Sequence, residues 1–316
     1  MPTPEDKSDE ALLLQIERQQ AISDEALQVV TQALQEVYYQ GQTPAQIASG
    51  HIGSFTRGTN NGSTPDVDMM LLSVPNDSAR GFSDWTDKGT DQLTDNKSGL
   101  VELDEVQKHD AQLRRAIEIT KQQLEAHYKL PAGATQFNYV RSWQSFPGVV
   151  FNVTVPASEF EQINLDVNLY HPAHFFGVEH GRRFRQYLDR VKAEHGNGRA
   201  AQLIRDIRRL KQAVKDHARD ASGSIDKHKK VSGFVIEALF THQAPPPDFA
   251  QVTAKLIDHH WTPGHAPQHE SIQDHQTQLI DNNMTFESLL ECLSQSGAIT
   301  TGGWAALLAV SQAAGG

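Results

Sequence analysis

Residues 51–72 read HIGSFTRGTNNGSTPDVDMMLL, and the reading of the whole chain turns on this stretch. Gly53-Ser54 lies between a helical region and a turn, a place where backbone N–H groups can point at a phosphate. Gly58-Thr59 adds a second flexible turn. Asp66 and Asp68 then open an apolar run at i and i+2, a spacing that puts both carboxylates on one face of a strand. Carboxylates held that close repel each other. A divalent cation offsets the repulsion, and hard oxygen ligands suit Mg2+ or Mn2+. A bare Asp-x-Asp is ordinarily a solvated turn; the Gly-Ser loop upstream turns the reading toward a nucleotide–metal platform.

Working outward, residues Glu10 to Gln40 carry apolar side chains at three- and four-residue steps and predict helix, with Ser23 and Asp24 placed to cap a second one. Gly41 to Pro65 is turn-rich, and Val67 to Val74 predicts a strand. Residues 75–100 are polar and broken by glycine and proline, as in a loop or insertion. Glu102 to Tyr128 is helical in pattern. Three short β-branched and apolar runs follow, Phe137–Trp143, Val149–Val155 and Ile163–Tyr170, and the turn residues between them predict antiparallel pairing. Beyond Tyr170 the pattern is helical, clearest over Arg199–His217 and Ser232–His242. The tail GGWAALLAVSQAAGG is rich in small residues and carries little information. The expected fold class is α+β, with a strand-bearing domain over 1–175 and an all-helical one over 176–316. At about 150 residues per domain, each is large enough to bury a core.

Charge sharpens this division. The 316 residues carry a formal net charge of −11, yet residues 51–112 hold 5 basic and 11 acidic side chains while 182–230 hold 15 basic and 6 acidic. An acidic segment suits cations and a basic one suits phosphates, although a charge run is often only a solvated face. The total argues against a surface that grips long nucleic acid everywhere. The single Cys292 excludes a disulfide framework or cysteine zinc finger and fits a reducing, cytoplasmic setting. No apolar run approaches the roughly 18 residues of a membrane span, and the acidic N-terminus is unlike a secretory leader.

Gly-Ser, a loop with Gly-Thr, then Asp-x-Asp on a strand resembles the signature of the nucleotidyltransferase superfamily. Within it, the sequence looks most like the branch that holds archaeal-type CCA-adding enzymes, oligoadenylate synthases and cyclic GMP-AMP synthase-like bacterial enzymes. The resemblance runs loosely over residues 10–257. It implies a polymerase β-like mixed sheet with flanking helices and an oligoadenylate-synthase-like helical substrate domain. It also implies a third carboxylate on a later strand, and Asp166 in INLDVNLY stands where that residue is expected. QLIRDIRRLKQAVKDH resembles the helix presenting a lysine to the triphosphate, here Lys211. VSGFVIEALF resembles the following helix start, with Ser232 as a phosphate contact. His171, His174 and His180 compete for a further role. The long 75–100 segment and Asn168 depart from the family pattern, and the chain is shorter than CCA-adding enzymes.

On this resemblance Asp66, Asp68 and Asp166 are catalytic and metal-binding, while Gly53, Ser54, Lys211 and Ser232 hold phosphates. The implied reaction is attack of a sugar hydroxyl on the α-phosphorus of an NTP, releasing pyrophosphate. The leading expectation is a synthase of cyclic or short linear oligonucleotide messengers in anti-phage signalling, with an effector that responds to the product. RNA-terminal transfer and a catalytically silent nucleotide-binding protein are the alternatives. Lesser candidates are His259, His260, His265, His269 and His275, whose spacing matches no zinc pattern; Arg182, Arg183 and Arg185 for a nucleic acid or a second nucleotide; and Tyr139 and Trp143 for base stacking.

Overall fold

The sheet is mixed and has five strands in the order β1-β2-β5-β4-β3: β1 Ile47–His51, β2 Asp66–Ser73, β3 Gln136–Arg141, β4 Pro147–Val153 and β5 Ile163–Leu169. The computed structural model describes residues 8–38, 47–61, 66–73, 115, 117–141, 147–153, 163–169, 172–226, 229–241, 243, 245–258, 285–295 and 299–315. β2 and β5 pair in parallel, and the other neighbours are antiparallel. The antiparallel pairing expected of the last three strands is present. The edge strand β1 lies in the stretch read as turns. Its sequence IASGH has one β-branched residue, and its pairing with β2 is what makes it a strand.

Contacts divide the chain into two units. The strand-bearing unit comprises Arg18–Thr56 and Gly62–Gly181; the helical unit comprises Met1–Glu17, Arg57–Asn61 and Arg182–Gly316. Helix α1, Asp9–Tyr38, contributes to both. It is continuous through Ser23, where a second start was expected. The Ser23 hydroxyl donates back to the Gln19 carbonyl at 2.8 Å, a bond made inside a helix, so it caps nothing.

In the strand-bearing unit, Val67, Met69, Leu165, Val167, Phe151 and Val153 form one buried face with Ala26, Val29 and Val30 of α1 and Ile117 and Leu124 of α2, a helix over residues 117–127. Because strand side chains alternate, the intervening residues of β2 and β5 emerge on the other face. Those residues are Asp66, Asp68, Asn164 and Asp166, all exposed or half-buried.

The helical unit contains α3 from Arg182 onward, α4 Gly233–Thr241, α5 Phe249–Asp258, α6 Phe286–Gln295 and α7 Thr301–Gly315. α3, Pro172–His217, starts earlier than its clearest periodicity and kinks at Gly196, whose φ of 83° suits glycine. Leu203, Ile204, Ile207, Leu210 and Val214 of α3 share a core with Leu239, Phe240, Trp304 and Leu307. The small-residue tail is therefore a helix with a buried Trp304, and not an uninformative end. Among the described residues no helix is long and apolar enough to cross a membrane.

Candidate functional site

In the parallel β2–β5 pair Asp66 lies across from Asn164 and Asp68 across from Asp166. In-register neighbours point the same way, at a strand spacing of about 4.8 Å, so three carboxylates share the sheet face opposite that core. The Asn164 amide donates to Asp66 Oδ1 at 2.8 Å and fixes that carboxylate. Burial, and then the negative charge of Asp66, hold the Asp166 carboxyl above the ordinary range. Among the described residues no group of three or more His, Cys, Asp or Glu side chains is placed to hold a metal ion. The three aspartates lie on adjacent strands, and their hard oxygen donors are of the kind that suits Mg2+ or Mn2+.

The turn reaches this patch directly. Ile52 N–H donates to the Asp68 carbonyl at 3.0 Å, extending the β1–β2 pairing by one bond past His51. Gly53 comes next, and a Cβ placed there would lie 2.0 Å from Asp68 Oδ2. Only glycine lets the backbone pass so close to the carboxylate. Ser54 is half-buried at the start of the turn, and Phe55 is anchored in the sheet–helix core. The structure thus brings Gly53, Ser54, Asp66, Asp68 and Asp166 together in the strand-bearing unit.

Lys211 and Ser232 belong to the helical unit, where they lie near each other. A Cβ at Gly233 would be 3.1 Å from Lys211 Nζ. The ammonium donates to Glu237 Oε1 at 2.6 Å, to the Thr59 carbonyl at 3.1 Å and to Thr59 Oγ1 at 3.0 Å. Burial lowers the Lys211 pKa, and the charge of Glu237 opposes that effect. Glu237 is fully buried and also accepts from Arg57 Nε at 2.7 Å and from the Thr59 hydroxyl. Arg208 Nε donates to the Gly58 carbonyl at 2.8 Å, and burial pushes its pKa down to about 10. Ser232 is exposed just before α4, and its carbonyl accepts from Ile236 N–H. No sequence motif singles out Glu237, although a lone glutamate in the apolar run GFVIEALF signals a buried partner.

Of the competing histidines, His180 is buried; the side chains of His171 and His174 lie outside the described residues. So do the histidines from 259 to 275, the 75–100 segment, Trp143 and the Tyr139 side chain. Arg182 is exposed, while Arg183 and Arg185 are half-buried.

No protein-family model matches the sequence, and no curated protein matches it. Among solved structures, terminal uridylyl transferase 4 from Trypanosoma brucei with bound UTP and UMP is 13% identical, with a TM-score of 0.36 over 84% of this chain and 59% of that one. The Cid1 poly(U) polymerase, in a study of its RNA terminal uridylyl transferase activity, is 9% identical with a TM-score of 0.36 over 72% and 50% of the two chains. A Cid1 mutant bound to MgATP is 9% identical with a TM-score of 0.44 over 94% and 88%. The chain spans 59% and 50% of the length of the first two.

Proposed function

We propose that this chain is a metal-dependent nucleotidyltransferase that joins the α-phosphorus of an NTP to a sugar hydroxyl and releases pyrophosphate. One observation carries the reading: Asp68 and Asp166 are in-register neighbours, and the backbone of Gly53 passes against the Asp68 carboxylate. Two functions that nucleotidyl transfer needs, a carboxylate patch and a turn able to offer N–H groups to phosphate, are adjacent there.

Asp66, Asp68 and Asp166 would hold Mg2+ or Mn2+, which when bound supplies charge against the triphosphate and makes the attacking hydroxyl more acidic. The Gly53-Ser54 backbone and the Ser54 hydroxyl hold the outer phosphates. Asp166 would complete the oxygen donors on the side of the attacking hydroxyl. The oxygen–phosphorus bond forms as the bond to pyrophosphate breaks. Lys211 and Ser232 are proposed as phosphate contacts from the sequence resemblance.

The acceptor we favour is a second nucleotide, giving a short linear or cyclic product that acts as an anti-phage signal through an effector. The net charge of −11 supports it, since a small acceptor needs no broad basic surface. RNA-terminal transfer is the second reading, favoured by exposed Arg190, Arg209, Lys215, Arg219, Lys229 and Lys230 on the helical unit. Incubation with all four NTPs and Mg2+, with and without RNA, followed by mass analysis decides between them. RNA-independent dinucleotides or trinucleotides support the first acceptor, and products that need a primer support the second. Undiminished pyrophosphate release by Asp66→Ala and Asp68→Ala would sink the site assignment itself.

A further inference from the structure

Two consecutive residues of α1 hold both ends of the segment that carries the turn. Asp24 Oδ1 lies 2.9 Å from Nε2 of His51, the last residue of β1. Ser23 Oγ accepts from Thr56 Oγ1 at 3.1 Å and donates to the Gln19 carbonyl. His51 and Thr56 bracket Ile52, Gly53, Ser54 and Phe55. His51 Nδ1 is buried with no hydrogen-bond partner among the described residues, so within them the contact at Nε2 sets the ring's polar orientation.

We infer that Ser23 and Asp24 are positioning residues for the Gly53-Ser54 turn, an inference that rests on the nucleotidyl-transfer reading. Neither touches a phosphate; both keep the turn where Gly53 meets Asp68. A turn that must offer backbone N–H groups to a substrate loses activity when its ends are released, because small misplacements of a binding group are costly to rate. The Asp24–His51 contact is poorly explained as a stability device. Asp24 is 54% exposed, and exposed ion pairs contribute little to stability. The adjacent residue supplies an internal control. Glu25 Oε1 lies 2.6 Å from His127 Nε2 at the end of α2, a pair of the same chemistry with a similarly exposed carboxylate and a more exposed imidazole (36% against 9% for His51), and among the described residues it makes no hydrogen bond to the turn.

Hydrogen exchange of the peptide spanning residues 50–60, together with pyrophosphate release, tests this in wild type, Ser23→Ala, Asp24→Ala, Asp24→Asn and Glu25→Ala. Asp24→Ala and Ser23→Ala are expected to speed exchange in the turn and lower kcat/KM on the order of 10- to 100-fold. Asp24→Asn keeps an oxygen that accepts from Nε2–H and should restore most of both. Glu25→Ala should match wild type in both. Equal exchange in Asp24→Ala and Glu25→Ala, or slow exchange in Asp24→Ala with normal turnover, overturns the inference. A wild-type protein with no turnover removes the nucleotidyl-transfer reading, while the exchange comparison still decides whether Asp24 orders the turn.

Discussion

Asp166 stands directly across from Asp68 in the parallel β2–β5 pairing, and its carboxyl is held above the ordinary range by burial and by Asp66. A raised acid pKa means that the folded state binds the proton more tightly than the unfolded chain does. Stability therefore falls as pH rises through the window between the unfolded value, about 3.9, and the raised folded value. At neutral pH the ionised Asp166 costs stability. Asp166→Asn should raise Tm at pH 7 while abolishing turnover. The gain should shrink as pH falls through the folded value and vanish below about pH 3.9. Melts from pH 3 to 8 check the sign, and a lower Tm at pH 7 would show that the carboxylate is stabilised by its partners.

Gly53 and Asp68 make a second, steric prediction. An alanine methyl would sit 2.0 Å from Asp68 Oδ2, so the turn or the carboxylate must move. Gly53→Ala should fold with a loss of about 1–3 kcal/mol, as for other overpacked sites. Its turnover should fall by about 100-fold or more, since both displaced groups belong to the proposed site. The stability cost should shrink in an Asp68→Ala background, because Oδ2 and Cγ are gone while Cβ, 2.8 Å from the added methyl, remains. A double-mutant cycle measured by urea denaturation gives that coupling. Additive losses would show that the collision lies elsewhere.

In the helical unit, Glu237 answers two cations, Arg57 and Lys211, from a fully buried position. Removing it leaves both charges buried without their carboxylate. Glu237→Ala should cost about 3–5 kcal/mol, the range for breaking a buried pair from one side. Lys211→Met added to Glu237→Ala should recover part of that loss, because one uncompensated charge is then gone. Chemical denaturation of the single and double variants measures it. A loss below about 1 kcal/mol would mean that water reaches these cations.

Much of this was legible in the sequence because the decisive signals are short-range. The i, i+2 spacing of Asp66 and Asp68, and the alternation around Asp166, place carboxylates on a strand face whatever the rest of the chain does. β1 was not legible, since IASGH is a strand through its hydrogen bonds to β2 and not through its own residues. The hydroxyl of Ser23 reads as a cap until the helix is seen to continue past it. Trp304 looked uninformative among alanines and glycines, but its burial depends on core residues such as Leu203 and Ile207, some hundred positions earlier in the chain. Asp24 and Glu237 act through partners 27 and 180 residues away, distances at which periodicity says nothing.

The carboxylate patch also predicts how added metal should change stability. Repulsion among Asp66, Asp68 and Asp166 is relieved either by a cation or by removing a charge, and the two remedies should not add. Mg2+ or Mn2+ together with a non-hydrolysable NTP analogue should raise the Tm of wild type. At a ligand concentration of 100 Kd the stabilisation would be about 2.7 kcal/mol. Asp166→Asn and Asp68→Asn should start from a higher Tm without ligand and gain less when it is added. The two sets of curves should therefore converge or cross as metal and analogue increase, and chelation should reverse the wild-type shift. Equal gains in wild type and variants would place the stabilising ion away from these carboxylates.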